Sequence, residues 1–306
     1  MINIGIAGST GFLGANLSQY FLKRGYNIIP IPLREEGWQD VLKEEKIDVI
    51  INLVGKAHDH ENKGSEEEYL VSNVKITRDL FYFFNEHYTS KLFIHISSMA
   101  AIIELESNEI VTEEAQPNPI SIYGKTKLMG EQFLISSVPV EDKKLFILRP
   151  TMIHGKGDKG NLSMLYKIIS KRIPYPLGAF KNERSFLSIN NFCFLIENII
   201  EKREHLQSVI YNITDDQPLA TSQIIETIGK LKKTKIRIIN VPKVMVNVFA
   251  FLGDYLRLPL NTKRLTKMTK NLVVSNQKIK NDLGIDSLPL GTLEGLEKTI
   301  NDFIEN

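Results

Sequence analysis

Short apolar runs alternate with amphipathic segments along the first half of this chain. The runs cover residues 2–7, 27–33, 48–54, 92–96 and 145–148. Runs of this length predict strands, and the segments between them carry apolar residues at helical spacing, most clearly over 66–87. Strands that alternate with helices predict an α/β fold with a doubly wound parallel sheet covered on both faces. The segment between the second and third runs is compact, so we expect the third strand of the usual doubly wound fold to be very short or missing.

A glycine-rich turn follows the first predicted strand. Gly8, Gly11 and Gly14 stand three residues apart, and a helical segment through residues 17–22 follows them. Glycines in such a turn let backbone N–H groups approach a pyrophosphate at the helix N-terminus, and the last one lets helix and strand pack closely. The turn therefore predicts a dinucleotide site and a Rossmann-type sheet.

The end of the second predicted strand bears on the choice of cofactor. An NAD-binding domain usually places an acidic residue there for the ribose 2′-hydroxyl. Here residues 30–33 carry no acid, and Arg34 follows them. Arg34 could pair with a 2′-phosphate, or it could be a solvated loop arginine neutralised by Glu35 and Glu36. We favour NADP and keep NAD open.

The alternating pattern ends after Arg149 and Pro150. A loop rich in glycine follows at 155–160, and most of the remaining chain has the periodicity of amphipathic helices. We assign residues 1–155, with a return segment at 186–213, to an NAD(P)-binding Rossmann domain. Residues 156–185 and 214–306 are assigned to a smaller, mostly helical lobe that binds substrate.

Tyr123 and Lys127 are the candidates for proton chemistry. In a helix their side chains project from one face, one turn apart. A free phenol has a pKa of about 10, and a cation beside it favours the phenolate, which would bring the tyrosine toward the range of a useful acid or base. Ser97 and Ser98 follow the strand at 92–96, at the carboxyl edge where active groups of open α/β sheets lie.

Composition and charge limit the kinds of partner, location and metal site that this chain is expected to have. The chain has 306 residues, 42% hydrophobic and 24% charged, as in a globular protein. A net charge of +2 gives no strong field for nucleic acid or an anionic membrane, and the longest apolar run, 244–252, is too short to span a bilayer. The single cysteine, Cys193, favours a reducing, cytoplasmic location. His58-Asp59-His60-Glu61 lacks distant ligands, so we interpret it as the polar mouth of a cleft and expect no metal site.

Taken together, these motifs resemble the extended short-chain dehydrogenase/reductase family, and within it the nucleotide-sugar epimerases and 4-keto reductases. The matching segments occur in the family's order over nearly the whole chain, at 8–14, 52–55, 71–74, 97–98, 123–127 and 148–150. The resemblance implies that Ser98 and Tyr123 hydrogen-bond the sugar C4 oxygen and that Tyr123 exchanges its proton. It also implies that Lys127 holds the nicotinamide ribose and lowers the pKa of Tyr123.

The same resemblance implies the remaining binding residues. Cofactor contacts are expected from Gly8, Thr10, Gly11, Phe12, Leu13, Gly14, Arg34, Leu53, Val54, Gly55, Asn73, Tyr123, Lys127 and Pro150. Asn161 and Arg184 would hold the diphosphate of the sugar donor. His154 stands where the family often has a tyrosine, and we include it with Ser98 among the substrate-binding residues.

The resemblance leaves two reactions open, which are 4-keto reduction and 4-epimerisation of a UDP-hexose in the synthesis of surface-polysaccharide sugars. Met99 and Ala100 occupy the positions where related 4,6-dehydratases carry an Asp-Glu pair, which argues against dehydration. A different class, a non-enzymatic NADP-sensing or scaffold protein on the same fold, usually loses the tyrosine or the lysine, and both are present here. A homodimer through helices 66–87 and 119–136 is a further hypothesis from the resemblance; we expect no nucleic-acid partner and no membrane insertion.

Overall fold

The computed structural model describes residues 1–57, 65–87, 89–137, 139–140, 142–171, 174–206, 209–234, 236–256 and 261–305, without the side chains of residues 41, 161, 263 and 267. The strands are β1 (Asn3–Ala7), β2 (Asn27–Ile31), β3 (Val49–Asn52), β4 (Leu92–Ile96), β5 (Lys144–Pro150), β6 (Met152–His154), β7 (Phe186–Ser188) and β8 (Ile210–Ile213). The α-helices are α1 (Phe12–Leu22), α2 (Trp38–Leu42), α3 (Glu66–Leu70), α4 (Ile76–Glu86), α5 (Ile122–Ser136), α6 (Asn161–Ser170), α7 (Ile189–Lys202), α8 (Thr221–Leu231), α9 (Lys243–Leu256), α10 (Thr262–Thr269), α11 (Gln277–Leu283) and α12 (Thr292–Glu305).

The main sheet has the strand order β2-β1-β3-β4-β5-β8, and every neighbouring pair in it is parallel. In its register, Ile6 of β1 stands between Pro30 of β2 and Ile51 of β3. Proline removes a backbone donor, so its place on an edge strand is the tolerated one. Between β2 and β3, where the backbone is described throughout, the chain forms α2 and adds no strand. The predicted doubly wound parallel fold is confirmed.

Both faces of the sheet are covered by helices. On one face, Leu17 and Phe21 of α1 pack in the same cluster as Phe192 and Ile196 of α7. The other face is covered by α2, α4 and α5 and includes Trp38, whose ring meets that of Phe83 edge to face at 5.1 Å. Strands buried on both sides need continuous apolar sequence, which explains why the short runs marked them.

The predicted helix over 66–87 is helical from residue 66 to residue 86 and contains a π-helical turn, Val71–Lys75, between α3 and α4. The helix begins at Ser65, whose hydroxyl accepts from the Glu68 backbone while the Glu68 carboxylate accepts from Ser65 N. Asn73 lies in the π-helical turn and is fully buried. Such wide turns are typical of functional sites.

The second lobe is mostly helical and has its own core. Leu162, Ile225, Leu265 and Leu296, from α6, α8, α10 and α12, belong to one buried cluster. Within the predicted return segment 186–213, β8 joins the main sheet beside β5, whereas β7 pairs in parallel with β6 in a separate small sheet. The domain bounds themselves stay a prediction. Among the described helices, none combines the length and the apolar character needed to cross a membrane.

Candidate active site

The glycine turn connects β1 to α1 at the carboxyl end of the sheet. Gly8 has a φ of 83°, a left-handed conformation that favours glycine, and its carbonyl accepts from Gly11 N at 3.1 Å. A Cβ placed on Gly14 would lie 2.2 Å from Gly8 O and 2.6 Å from Ser9 Cα. Gly11 is the N-cap and brings no side chain to the start of α1. Open N–H groups and a tight backbone cradle fit a dinucleotide pyrophosphate.

Neighbouring residues of the turn differ in exposure. Thr10 is exposed, whereas Phe12 and Leu13 are half-buried against the core of the sheet. Arg34 is exposed in the loop after β2, and Pro150 is buried at the end of β5. Their contacts with a cofactor stay predictions.

The chain that leaves β3 passes close to Lys127. A Cβ on Gly55 would lie 2.6 Å from Lys127 Nζ and 3.1 Å from Asn73 Oδ1, so a larger residue here would displace the Lys127 ammonium. Asn73 Oδ1 accepts from the backbone N of Lys56 at 3.0 Å, and its Nδ2 donates to Thr126 Oγ1 at 2.8 Å. The buried asparagine thus ties the end of β3 to α5.

Leu53 and Val54 occupy the two positions between β3 and this glycine. Leu53 N donates to Ala7 O at 3.0 Å, which extends the pairing with β1 beyond the strand, and Val54 N donates to Asn52 Oδ1 at 3.0 Å. Both residues therefore stand beside the glycine turn, where the sequence predicted cofactor contacts.

Ser98 and Tyr123 lie together, and the Ser98 side chain hydrogen-bonds that of Tyr123. Ser98 follows β4, and its Oγ accepts from Ala100 N at 3.1 Å in a 3-10 turn. Tyr123 lies in the first turn of α5, which begins at Ser121, whose Oγ accepts from Gly124 N. The end of β4 and the start of α5 therefore carry the two hydroxyls of the site.

The pKa of Tyr123 differs from expectation. Burial raises it, Glu104 and Tyr69 raise it further, and the hydrogen bond from Ser98 acts in the opposite direction. Lys127 Nζ donates to Ile96 O at 2.9 Å and to Val54 O at 3.4 Å, at the ends of two strands. The expected lowering of the tyrosine pKa by Lys127 is therefore wrong for this structure, because burial raises that pKa and the group that lowers it is Ser98.

Burial also acts on Lys127, and it lowers the pKa of the ammonium to about 8. The carboxylate of Glu131, one turn further along α5, opposes that shift. Glu131 is itself fully buried and forms a bidentate pair with Arg149 of β5, with Nη2 2.7 Å from Oε2 and Nε 3.1 Å from both oxygens. Sequence reasoning missed this pair; the i,i+4 spacing of Glu131 from Lys127 signalled only that these two side chains share a helix face.

Glu104 was also missed. Its Oε1 accepts from the backbone N of Ile120 at 3.1 Å and from both N and Oγ of Ser121 at 2.7 Å. This carboxylate is 8% exposed. It anchors the start of α5, and hence the position of Tyr123, through contacts 16 and 17 residues apart in sequence.

The predicted substrate residues have different surroundings. Arg184 Nη1 donates to Leu105 O at 2.9 Å and Lys270 O at 3.1 Å, and burial lowers the pKa of its guanidinium to about 10. Its acceptors are uncharged carbonyls, which leaves the positive charge suited to a diphosphate. Asn161 is the first residue of α6, and its side chain lies outside the described part. Residues 58–61 also lie outside the described residues.

His154 is placed for packing. It is 1% exposed, its Nδ1 shares a hydrogen bond of 2.8 Å with Thr299 Oγ1 of α12, and its ring meets the edge of Phe186. Burial lowers its pKa to about 4, so the imidazole is neutral at pH 7. These contacts favour a structural role for His154 over contact with substrate.

The sheet, the glycine turn and the Ser98–Tyr123–Lys127 set define a nicotinamide-dependent enzyme on a Rossmann-type fold. The family model described as "NAD dependent epimerase/dehydratase family" matches residues 4–214, and the chain therefore belongs to that family.

Individual relatives agree with this membership. The chain is 26% identical over 245 residues to UDP-glucose 4-epimerase of Vibrio cholerae, covering 73% of this chain and 74% of that protein. Among solved structures, UDP-glucuronic acid 4-epimerase from Bacillus cereus in complex with NAD has a TM-score of 0.75 and 18% identity over 99% of both chains. RMD from Pseudomonas aeruginosa complexed with NADPH has a TM-score of 0.75 and 17% identity over 100% of both. Both structures share the fold of this chain. The first is a complex with NAD, and the second is a complex with NADPH.

Proposed function

We propose that this protein transfers hydride at C4 of a nucleotide-activated hexose, most simply a UDP-sugar, with Tyr123 as the proton-exchanging group. The observation that supports this proposal best is the hydrogen bond between Ser98 and Tyr123 beside Lys127, at the strand ends that border the glycine turn. A tyrosine that served only for packing would not require a neighbouring serine hydroxyl and a buried lysine ammonium next to the glycine turn.

Each side chain has a role that its contacts allow. Tyr123 passes its phenolic proton to or from the C4 oxygen, and Ser98 holds that oxygen. Lys127 donates to the ribose of the cofactor, which supplies the hydride acceptor or donor when bound. Arg184 neutralises part of the diphosphate with its forked donors.

Between the two reactions, we place 4-keto reduction first and 4-epimerisation second. A reductase exchanges its cofactor at each turnover, and an exposed Arg34 after β2 suits the 2′-phosphate of NADPH. An epimerase retains NAD while the sugar intermediate rotates, and the relatives named as 4-epimerases support that alternative. We include the synthesis of surface-polysaccharide sugars and a cytoplasmic location in the proposal.

The decisive experiment releases cofactor from the purified protein by denaturation. Near-stoichiometric NAD would indicate an epimerase, whereas an empty protein that oxidises NADPH with a UDP-4-keto-hexose would be a reductase. A Tyr123→Phe protein should bind cofactor but lose activity by about 10²–10⁴-fold, the usual contribution of general acid–base catalysis. Full turnover by Tyr123→Phe would contradict the assignment of the proton donor.

The proposed homodimer has a specific surface. Tyr82 of α4 and Ile135 of α5 are each 52% exposed, and Met129 of α5 is 44% exposed. Apolar side chains on both helices fit an isologous contact. Light scattering after size exclusion tests it, and a monomer at micromolar concentration would refute it.

A further inference from the structure

Helix α9 presents a broad apolar face to solvent. Its contact with the lobe is made by Val246, Ala250 and Gly253, which are buried. The exposed apolar side chains, 44% to 86% accessible, are Val244, Met245, Val248, Phe249, Phe251, Leu252, Tyr255 and Leu256. A soluble surface normally scatters such residues singly, and a contiguous set indicates a surface that another apolar phase covers.

The exposed set forms one continuous sector. Successive residues lie about 100° apart around a helix axis, so these eight positions cover about 160° of the circumference. No charged residue falls inside that sector. Lys243, Asn247 and Asp254 lie together on one flank of the sector, and the buried residues lie opposite it. The helix is therefore amphipathic in an unusual way, because its widest apolar face points away from the protein.

The sequence around this face is strongly basic. Residues 243–270 contain six lysines and arginines, of which Lys270 pairs with Glu106 at 2.9 Å, and one acid, Asp254, while the whole chain has a net charge of only +2. The small overall charge thus conceals a local excess of cations. An apolar helical face flanked by cations is the combination that binds the interface of an anionic bilayer.

We propose that α9 docks flat on an anionic phospholipid surface. Its 14 residues give a length of about 21 Å, and the aromatic and aliphatic side chains enter the boundary between headgroups and acyl chains. Lys243, on one flank of the face, and Arg264, on the adjoining α10, are both exposed and belong to this basic segment. A second copy of this chain fits the face less well. A two-fold contact would bring the same basic segment against itself, and like charges oppose each other.

This docking face is linked through α10 to Arg184. Helix α9 packs against α10. Directly after α10, the backbone carbonyl of Lys270 accepts a hydrogen bond from the guanidinium of Arg184. The segment formed by α10 and Lys270 therefore contacts both α9 and the arginine proposed to bind the diphosphate. Docking through α9 would therefore place Arg184 two contacts away from the helix that meets the membrane.

Vesicle flotation with the intact protein tests the proposal. The probes are vesicles of phosphatidylcholine alone and of phosphatidylcholine mixed with phosphatidylglycerol. We expect the protein to float with the anionic vesicles and to remain in solution with the neutral ones. Phe251→Glu changes a side chain that is 70% exposed in the protein. It should weaken the binding to anionic vesicles by at least about tenfold, because a carboxylate replaces the apolar ring that would enter the bilayer.

Leu22→Glu is the matched control, since Leu22 is 60% exposed on α1, outside the face. It should float like the unmodified protein, and both variants should keep the NAD(P)H-linked activity with water-soluble nucleotide sugar. Failure to float with anionic vesicles would overturn the proposal, as would equal flotation of Phe251→Glu and the control. Light scattering that shows a dimer lost only in Phe251→Glu, without vesicle binding, would instead assign the face to a second copy.

Discussion

Gly124→Ala is a one-methyl perturbation that separates the two hydroxyls of the site. Gly124 follows Tyr123 and faces the turn that begins at Ser98. A Cβ on Gly124 would lie 2.3 Å from Ala100 O and 2.7 Å from Glu104 Oε1. Real Cβ atoms essentially never approach other atoms within 3.0 Å. The start of α5 must therefore move away from the turn after β4.

The size of the effect follows from that overlap. Relieving it requires a displacement of about 1 Å, and a misplacement of about 1 Å in a catalytic arrangement costs about 10²-fold in rate. We therefore expect kcat to fall about 100-fold, which corresponds to about 2.7 kcal/mol of transition-state stabilisation. Overpacking of this kind costs about 1–3 kcal/mol of stability, so the protein should stay folded.

The assay follows the near-ultraviolet absorbance of the reduced nicotinamide, and a thermal melt monitors folding. Gly291→Ala is the matched control, because a Cβ there meets no atom within 4 Å. Cofactor binding should weaken much less than kcat falls, since the glycine turn after β1 is untouched. If Gly124→Ala turns over as fast as Gly291→Ala, the close approach of α5 to the β4 turn does not position the reacting groups.

Three other predictions address charges. Arg149→Met leaves the buried Glu131 carboxylate unpaired and should lower the free energy of unfolding in urea by about 3–5 kcal/mol. The double variant with Glu131→Leu should recover most of that loss. A loss under about 1 kcal/mol in the single variant contradicts the reasoning. The pKa of Lys127 is lowered to about 8, so its ammonium is charged below that pH and neutral above it. Cofactor affinity should therefore fall as pH rises through about 8, whereas Lys127→Met should bind weakly without that dependence, and a flat wild-type profile would exclude the charged form as the binding one. Arg34→Ala should raise KM for NADPH about tenfold, as expected for loss of a hydrogen bond to a charged group, and leave KM for NADH unchanged; equal changes would remove Arg34 from the 2′-phosphate site.

The sheet could be predicted because its signal is local. Continuous apolar runs placed β4 at its observed bounds and the other main strands within a few residues. The glycine spacing placed the turn after β1, and the four-residue spacing placed Tyr123 and Lys127 on one helix. Each of these features is decided by residues that are neighbours along the chain.

The supporting shell could not be predicted, because its partners are distant in sequence. Glu104 anchors the start of α5 from a loop, and Arg149 meets Glu131 from a strand 18 residues later. The burial of His154 against Thr299 spans 145 residues. Hydrophobic periodicity shows that a helix or strand has an apolar and a polar face, but it does not show which other element covers the apolar face. The exposed face of α9 is invisible in sequence for the same reason.

The reversed shift of Tyr123 also bears on the proton transfer in the reaction. Burial raises the pKa of this phenol and lowers that of Lys127, so both groups move toward their neutral forms in the same dry environment. A tyrosine that holds its proton is ready to donate it to a carbonyl oxygen, which is the step of a 4-keto reductase. An epimerase must first accept a proton from the C4 hydroxyl, and for that step the phenolate has to form against the desolvation cost. Donating the proton in reduction leaves the same buried phenolate, so burial adds to the cost of proton transfer in both reactions and sets only the protonated resting state of Tyr123; the order of the two proposed reactions rests on the exposed Arg34 after β2.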